Sequence, residues 1–498
     1  DTAYSVELAL AIVDPVRSMN SLLFKISDKK DAAGGGFPEI VQDTGSGGSW
    51  PVSTDRVVWA IAAYELLNYL GTADRDSFFE AAYEAITNTV ETDRIVVYDP
   101  RDGLYYGEQS FLDWREQTYP SWTKENTVHI GMSKSLSTNI LHLNALKILS
   151  EMAGEAGDAI EAAKYLQWVT DLETAIKNGF IIDGSPLLST FRTTELDSSP
   201  VNKHDLLGQS LAVLSGDIFM DESADLIANY PRTPHGAPVI WPQNPFAPIY
   251  HNRAIWPFVT AYDLKAAHKV KNADAVENGI RSLMYGAAFN LSNMENFEFT
   301  ALANYYSDGD YSGPVVNSRR QLWSVAGYLS MVIKVLAGFD AKDGELTFSP
   351  LIPVSFRNDV LKETGRLVLR NVPFKGKLLN IHLVMPPADG SKDGYYTVKS
   401  ILHNGRPLSG GLNESALSDI NDIVIDVTTK LNDINGIKLI DNYGASHIYA
   451  PKEPVTTAIS VNSGNISFSL NKNGEPDSTT FSVFRNGVRV ATGLSEGT

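Results

Sequence analysis

The feature that most constrains the fold is a change of hydrophobic period near residue 340. Before it, apolar residues recur at helical spacing, as in Val6, Leu8, Leu10, Val13, Val16, Met19, Leu22 and Leu23. The spacing predicts helices over Ser5–Lys25, Val57–Leu70, Asp76–Thr92, Leu136–Ala153, Asp158–Ile176, Leu206–Leu214, Asp221–Ala228, Ile255–His268, Asn272–Phe289 and Arg319–Leu336. The connections between them are very unequal. Four are long: Asp31–Pro51, Tyr98–Ser135, Pro231–Asn252 and Leu291–Ser318. Compact domains seldom keep loops beyond about 12–15 residues unless the loops carry function. Long and short connections alternating along a helical chain predict a mainly α fold, an (α/α)6 toroid of helical hairpins with its elaborated loops on one face.

After Phe339 the period drops to two, in Glu345–Phe348, Arg366–Leu369, Leu379–Val384 and Tyr396–Val398. The expected domains are the toroid over 1–340, an antiparallel β-sandwich over 341–452 and a partial immunoglobulin- or fibronectin-like β module over 453–498. The last span is far shorter than the ~100 residues of a full immunoglobulin-like domain. No short-period repeat is visible.

Composition removes several function classes. The formal net charge is −18, with 41 Lys plus Arg against 59 Asp plus Glu and no basic cluster. Nucleic acid is therefore not expected as a partner. No apolar run approaches ~18 residues, so no membrane span is expected. With no cysteine there is no disulfide, thiolate metal site or Cys nucleophile. The nine histidines form no HxxxH or HxH pair, and no metal or other cofactor is expected. His129, His142 and His251 read as structural or rim residues. Asp389 to Gly394 lacks the terminal Glu of a calcium loop and reads as a turn. No signal peptide is seen at Asp1, and the expectation is a processed, secreted or periplasmic chain, with a cytoplasmic one as the alternative.

Three segments concentrate chemistry. Gly103–Pro120 packs Glu108, Asp113, Arg115 and Glu116 among Tyr105, Tyr106, Phe111, Trp114 and Tyr119. Aromatic rings stack on the apolar faces of sugars, and carboxylates bind hydroxyls or move protons. The bland alternative is a surface loop whose Arg115 pairs with Asp113 or Glu116. Leu291–Phe299 adds Glu295 and Glu298 from a distant connection, and glycoside hydrolysis needs two carboxyls flanking one bond. Gly48–Trp59 sets Asp55 and Arg56 at a helix start, as an N-cap or as a forked contact to sugar hydroxyls. The candidate substrate contacts are Trp50, Asp55, Arg56, Trp114, Arg115, Tyr119, Trp122, His129, Trp256 and Arg320.

Together these segments resemble the six-hairpin glycosidases, the (α/α)6 superfamily of trehalase, processing α-glucosidase I, glucoamylase and α-L-rhamnosidase. Asn139–Lys147 resembles the helix after the general-acid loop of that group. Arg320–Tyr328, continuing through Val335–Phe339 to Leu346–Pro353, is similar to its last barrel helix and exit into the β domain. Glu295-Asn296-Phe297 looks like the Glu-Asn-Tyr run that holds the general base in processing α-glucosidase I. The resemblance implies an inverting hydrolase of an oligo- or polysaccharide, with Glu295 as base and the acid in the loop before Leu136. Asp113 is the first choice for the acid. That loop departs from the Ser-Gly-x-Asp form of the group, so Glu108 and Glu116 stay open as the acid.

Two rivals use the same residues. A polysaccharide lyase on an (α/α) toroid would draw on Tyr119, Asn126, His129 and Arg115, against an acidic chain that suits an anionic polymer poorly. A carbohydrate-binding protein on a degenerate glycosidase fold would keep the cleft without turnover.

Overall fold

The structure is a computed structural model that describes residues 1–27, 37–41, 53–107, 128, 131–192, 198–216, 218–243, 250–306, 313–314, 318–432, 436–440, 454–485 and 488–497. Helices occupy the chain up to Leu336, and strands dominate from Phe339 onward.

The first expected helix is two. Residues 2–13 form α1, with Val6–Leu10 wound as a π-helix, and Pro15–Leu23 form α2. Pro15 cannot continue α1, because its ring clashes with the preceding turn and it has no N–H. It starts α2 instead, capped by the Asp14 carboxylate accepting from the Arg17 amide. The other helices follow the expected order. They are α3 (54–67, broken at Val58), α4 (Thr72–Val96), α5 (Leu136–Glu155), α6 (Ala159–Phe180), α7 (Leu206–Leu214), α8 (Ser223–Asn229), α9 (Pro257–Val270), α10 (Ala273–Asn290) and α11 (322–336, π-wound over Met331–Leu336).

Their packing is cyclic. Each of α1, α3, α5, α7, α9 and α11 packs on the next, and α11 packs back on α1. Outside them, α2 lies on α3, α4 on α5, α6 on α5, α8 between α7 and α9, and α10 on α9. Every connection from an inner helix to the following outer one is short, from Asp14 alone to 215–222. Every return from outer to inner is long: 24–53, 97–135, 181–205, 230–256 and 291–321. Short turns make consecutive helices antiparallel. The inner helices therefore run in one direction, and the long connections all meet their N-terminal ends. The connection over 181–205 joins the four expected from the sequence.

Neighbouring connections are stitched by a repeated device. Two extended residues that immediately precede an inner helix, or in the third case are one residue short of it, pair antiparallel with the next connection. Lys134–Ser135 pair with Phe191–Arg192, His204–Asp205 with Ile240–Trp241, and Ala254–Ile255 with Phe297–Glu298. No sequence period announces it, because each pairing is only two residues long.

The β region holds a five-stranded sheet in the order Arg366–Phe374, Lys377–Val384, Ile420–Asp426, Ser400–His403, Arg406–Leu408. The expectation of a wholly antiparallel arrangement fails at one pair, since Lys377–Val384 runs parallel to Ile420–Asp426. The chain between them crosses through other strands, which gives the length a parallel crossover needs. Two three-stranded sheets accompany it, and two hairpins, Val455–Asn471 and Phe481–Leu494, follow.

Candidate functional site

The site grows from two connections, 230–256 and 291–321, at the N-terminal ends of α9 and α11. The first is anchored to α9 and to itself. Arg232 and Asp263 form a two-pronged ion pair at 2.7 and 2.8 Å, both side chains fully buried. Gln243 accepts the Arg253 amide at 2.6 Å and donates to the Ile240 carbonyl at 2.7 Å. The second connection docks on the first through Phe297↔Ile255 and Glu298↔Ala254. Beneath the junction lies a small apolar cluster of Ile255, Met294, Phe297, Phe299 and Leu302. Gly286 of α10 makes room for it, because a Cβ there would stand 2.6 Å from the Phe297 ring.

The two carboxylates of this connection have different surroundings. Glu298 is fully buried. Its Oε2 accepts from the Thr300 amide at 2.9 Å, the Thr300 hydroxyl at 2.7 Å and the Ala301 amide at 2.9 Å. Its Oε1 faces Arg253 Nη2 at 3.4 Å. Burial pushes its carboxyl above the usual range against those donors. Glu298 braces its own turn. Glu295 is half-buried. Its amide donates to the Ser318 carbonyl at 3.0 Å, and its Oε2 accepts from the Ser318 amide at 2.9 Å. Its Oε1 faces the Tyr250 hydroxyl at 3.4 Å. A carboxylate so held, with access to solvent, can take a proton from water.

Tyr250 belongs to an aromatic group. Its ring lies 4.4 Å from His251 and 5.2 Å from Trp256, edge-on to the latter. Trp256 Nε1 donates to the Tyr250 carbonyl at 3.2 Å. Burial holds the His251 imidazole well below its usual pKa, so the ring is neutral at ordinary pH.

Two expected substrate contacts are corrected. Trp256 is 2% exposed, packed against Tyr250, His251, Phe258 and Trp323, and offers no open face to a sugar. Arg56 is 1% exposed. Its Nη1 donates to both Asp93 oxygens at 2.6 and 2.7 Å, and its Nε to the Ile40 carbonyl at 3.0 Å. It cannot reach a pocket rim. Asp93 also meets His142 Nε2 at 3.1 Å, and His142 Nδ1 meets the Thr138 carbonyl at 2.9 Å, which makes His142 a core residue. Asp55 is half-buried beside Ser53, which is the actual helix cap. Arg320 is exposed, two residues from Ser318.

Glu108, Asp113, Trp114, Arg115, Glu116, Tyr119, Trp122, Asn126, His129, Trp50 and most of the Gly-rich connection before it lie outside the described residues. The ends of the aromatic-acidic loop are described. Gly107 donates to the Ser133 carbonyl at 2.8 Å and accepts from the Ser135 amide at 3.2 Å, so the loop leaves and returns at the N-terminal end of α5. Lys134 tightens this stem, donating to Asp99 at 2.5 Å and to Asp102 at 2.7 and 2.8 Å. Burial works against the Asp99 anion, yet Arg101, Lys134 and Tyr106 together hold its carboxyl far below the usual range.

Sequence reasoning missed Tyr250, Ser318 and the Asp99–Asp102–Lys134 stem. The run Tyr250-His251-Asn252-Arg253 was a visible signal for the first. Nothing local marks Ser318, which acts through its backbone. Among the described residues no group of three or more His, Asp or Glu could hold a metal ion. No described helix is long and apolar enough to cross a membrane.

No protein-family model matches the sequence, and no curated protein matches it. Solved structures do resemble the chain. A sialidase aligns at TM-score 0.49 and 14% identity, over 72% of this chain and 32% of its own. The neutral trehalase of Saccharomyces cerevisiae aligns at 0.41 and 10%, over 55% of this chain and 61% of its own. A mannosylglycerate hydrolase from Thermus thermophilus, solved with glucose, aligns at 0.45 and 12%, over 66% of this chain and 91% of its own. The chain thus spans about a third of the sialidase and under two thirds of the trehalase.

Proposed function

We propose that the protein is an inverting glycoside hydrolase of an oligo- or polysaccharide, with Glu295 as general base. The cyclic packing of the inner helices supports reading residues 1–340 as an (α/α)6 toroid, with 341–452 as a β-sandwich and 453–498 as a partial β module. A secreted or periplasmic location belongs to the same reading, with a cytoplasmic one as its alternative.

The observation that carries it is the mount of Glu295. Its carboxylate is half-buried, clasped by Ser318 and faced by the Tyr250 hydroxyl, where two long connections cross. The acid comes from the connection before α5, with Asp113 first and Glu116 and Glu108 as its alternates. The acid donates its proton to the glycosidic oxygen as the bond from that oxygen to the anomeric carbon breaks. A water attacks that carbon from the opposite face and loses a proton to Glu295. The products are an inverted reducing sugar and an alcohol, and proton exchange with solvent restores both carboxyls. Such pairs stand about 6.5–9.5 Å apart.

A panel of 4-nitrophenyl glycosides and plant, algal and bacterial oligosaccharides, with the first-formed anomer followed by NMR, tests the reading. On an unactivated oligosaccharide, whose departing sugar oxygen must be protonated, Glu295→Gln and Asp113→Asn are each expected to lower kcat by roughly 10²–10⁴-fold while sugar binding persists. Activity above about a tenth of wild type in either variant removes that residue from its role, since such loss falls short of the acid–base range. Unsaturated, ultraviolet-absorbing products identify a lyase instead.

A further inference from the structure

We propose that Tyr250 is a positioning residue whose hydroxyl aims Glu295 Oε1 at the attacking water. The inference rests on the hydrolase reading and adds to it a residue outside the carboxyl pair.

Ser318 pins the other oxygen, Oε2, at 2.9 Å. With one oxygen fixed, rotation of the carboxylate decides where Oε1 points, and the Tyr250 hydroxyl faces it. The separation is 3.4 Å, about 0.6 Å longer than a typical O–H···O bond. Catalytic hydrogen bonds are often long in an unliganded site and tighten when the reacting groups arrive. The phenol cannot easily withdraw. Its ring is wedged against His251 and Trp256, and its carbonyl takes the Trp256 Nε1–H. Trp256 is in turn packed on Phe258 and Trp323. The hydroxyl is thus placed by the core, whereas the carboxylate hangs on a surface connection. A donor fixed in this way selects one carboxylate rotamer and favours its anionic form.

Tyr250→Phe removes the hydroxyl and keeps the ring. On the 4-nitrophenyl glycoside that wild type cleaves fastest, kcat is expected to fall about 3- to 30-fold with KM within about two-fold, the pattern of an interaction strengthened in the transition state. The acid limb of kcat/KM is expected to move to higher pH, because the carboxylate loses a donor to its anion. Unchanged kcat with an unmoved limb overturns the proposal. So does a fall in kcat with an unmoved limb and a lowered melting temperature, which marks a packing role. A second measurement needs no substrate. In protein carrying ¹³C-carboxyl glutamate, the resonance missing from Glu295→Gln belongs to Glu295, and its titration midpoint should rise in Tyr250→Phe. An unchanged midpoint refutes the contact. Full activity in Glu295→Gln instead removes Glu295 from the base role, whatever Tyr250 does, and absence of hydrolysis of every glycoside by wild type removes the hydrolase reading.

Discussion

The interior position of Arg56 makes a prediction that separates a structural cation from a substrate ligand. The Arg56 and Asp93 side chains are 0% and 1% exposed and meet at 2.6 Å. Burial alone would raise the Asp93 carboxyl, but the Arg56 guanidinium and the His142 contact hold it below the usual carboxylate range. Asp93→Asn keeps the shape and strips the charge, leaving Arg56 buried without its counter-ion. Breaking one side of a buried pair costs about 3–5 kcal/mol. Arg56→Met/Asp93→Asn removes both charges and should recover at least about 2 kcal/mol of the summed single losses, since the double variant buries no lone charge. Urea unfolding followed by helical circular dichroism reads all of these. The sign with pH is fixed by the depressed carboxyl. Its stabilisation is fully present above the unfolded value near 3.8 and is lost as pH falls through the lower folded value. Asp93→Asn should therefore flatten the acid limb of stability below about pH 4, where wild type still loses stability. Loss under about 1 kcal/mol in Asp93→Asn, together with a raised KM in Arg56→Met, would refute the reasoning and return Arg56 to the sugar.

Other perturbations follow from the mounts of the two connections. Gly286→Ala sets a Cβ 2.6 Å from the Phe297 ring and should cost about 1–3 kcal/mol while lowering kcat, read by melts and kinetics, because the same connection carries Glu295. Lys134→Met strips Asp99 and Asp102 of their shared cation. It should cost about 1–3 kcal/mol and speed amide exchange at Gly107 and Ser135 before the rest of α5 responds. Glu298→Ala should lower stability by about 2–4 kcal/mol, because the Thr300 and Ala301 amides lose their acceptor. Glu295→Ala, half-exposed, should cost under about 1 kcal/mol.

Much of the helical body was legible because amphipathic spacing over long segments is a strong signal. Leu206–Leu214 lies where its pattern predicts, and most other helices shift by a few residues at their ends. The split at Pro15 was legible too, in the one residue that a helix interior excludes, yet the apolar stripe runs through it. The parallel pair in the β region was not legible, since alternation specifies which face is buried and not which way a neighbour runs. Arg56 could not be placed from sequence. Its partner Asp93 lies on another helix, and a helix-start Arg looks the same whether it points inward or outward.

Glu295 and Glu298 are the instructive pair. They are three residues apart, both acidic, both in a connection rich in Asn and Phe, and no local rule separates a buried brace from a carboxylate left open to solvent. The separation comes from a contact with no local code, the two-residue ladder Phe297↔Ile255 and Glu298↔Ala254. That ladder brings Glu298 against Arg253 and the turn that follows it, where water is excluded and every carboxylate oxygen must find a donor. It leaves Glu295 two residues before the paired ones, where Ser318 can hold the carboxylate without burying it. The same arrangement of extended residues before an inner helix recurs at Lys134–Ser135 and His204–Asp205. The ring of helices therefore does more than support the loops. By fixing where three of the connections pair with the next, it decides which polar side chains become interior braces and which remain open to solvent.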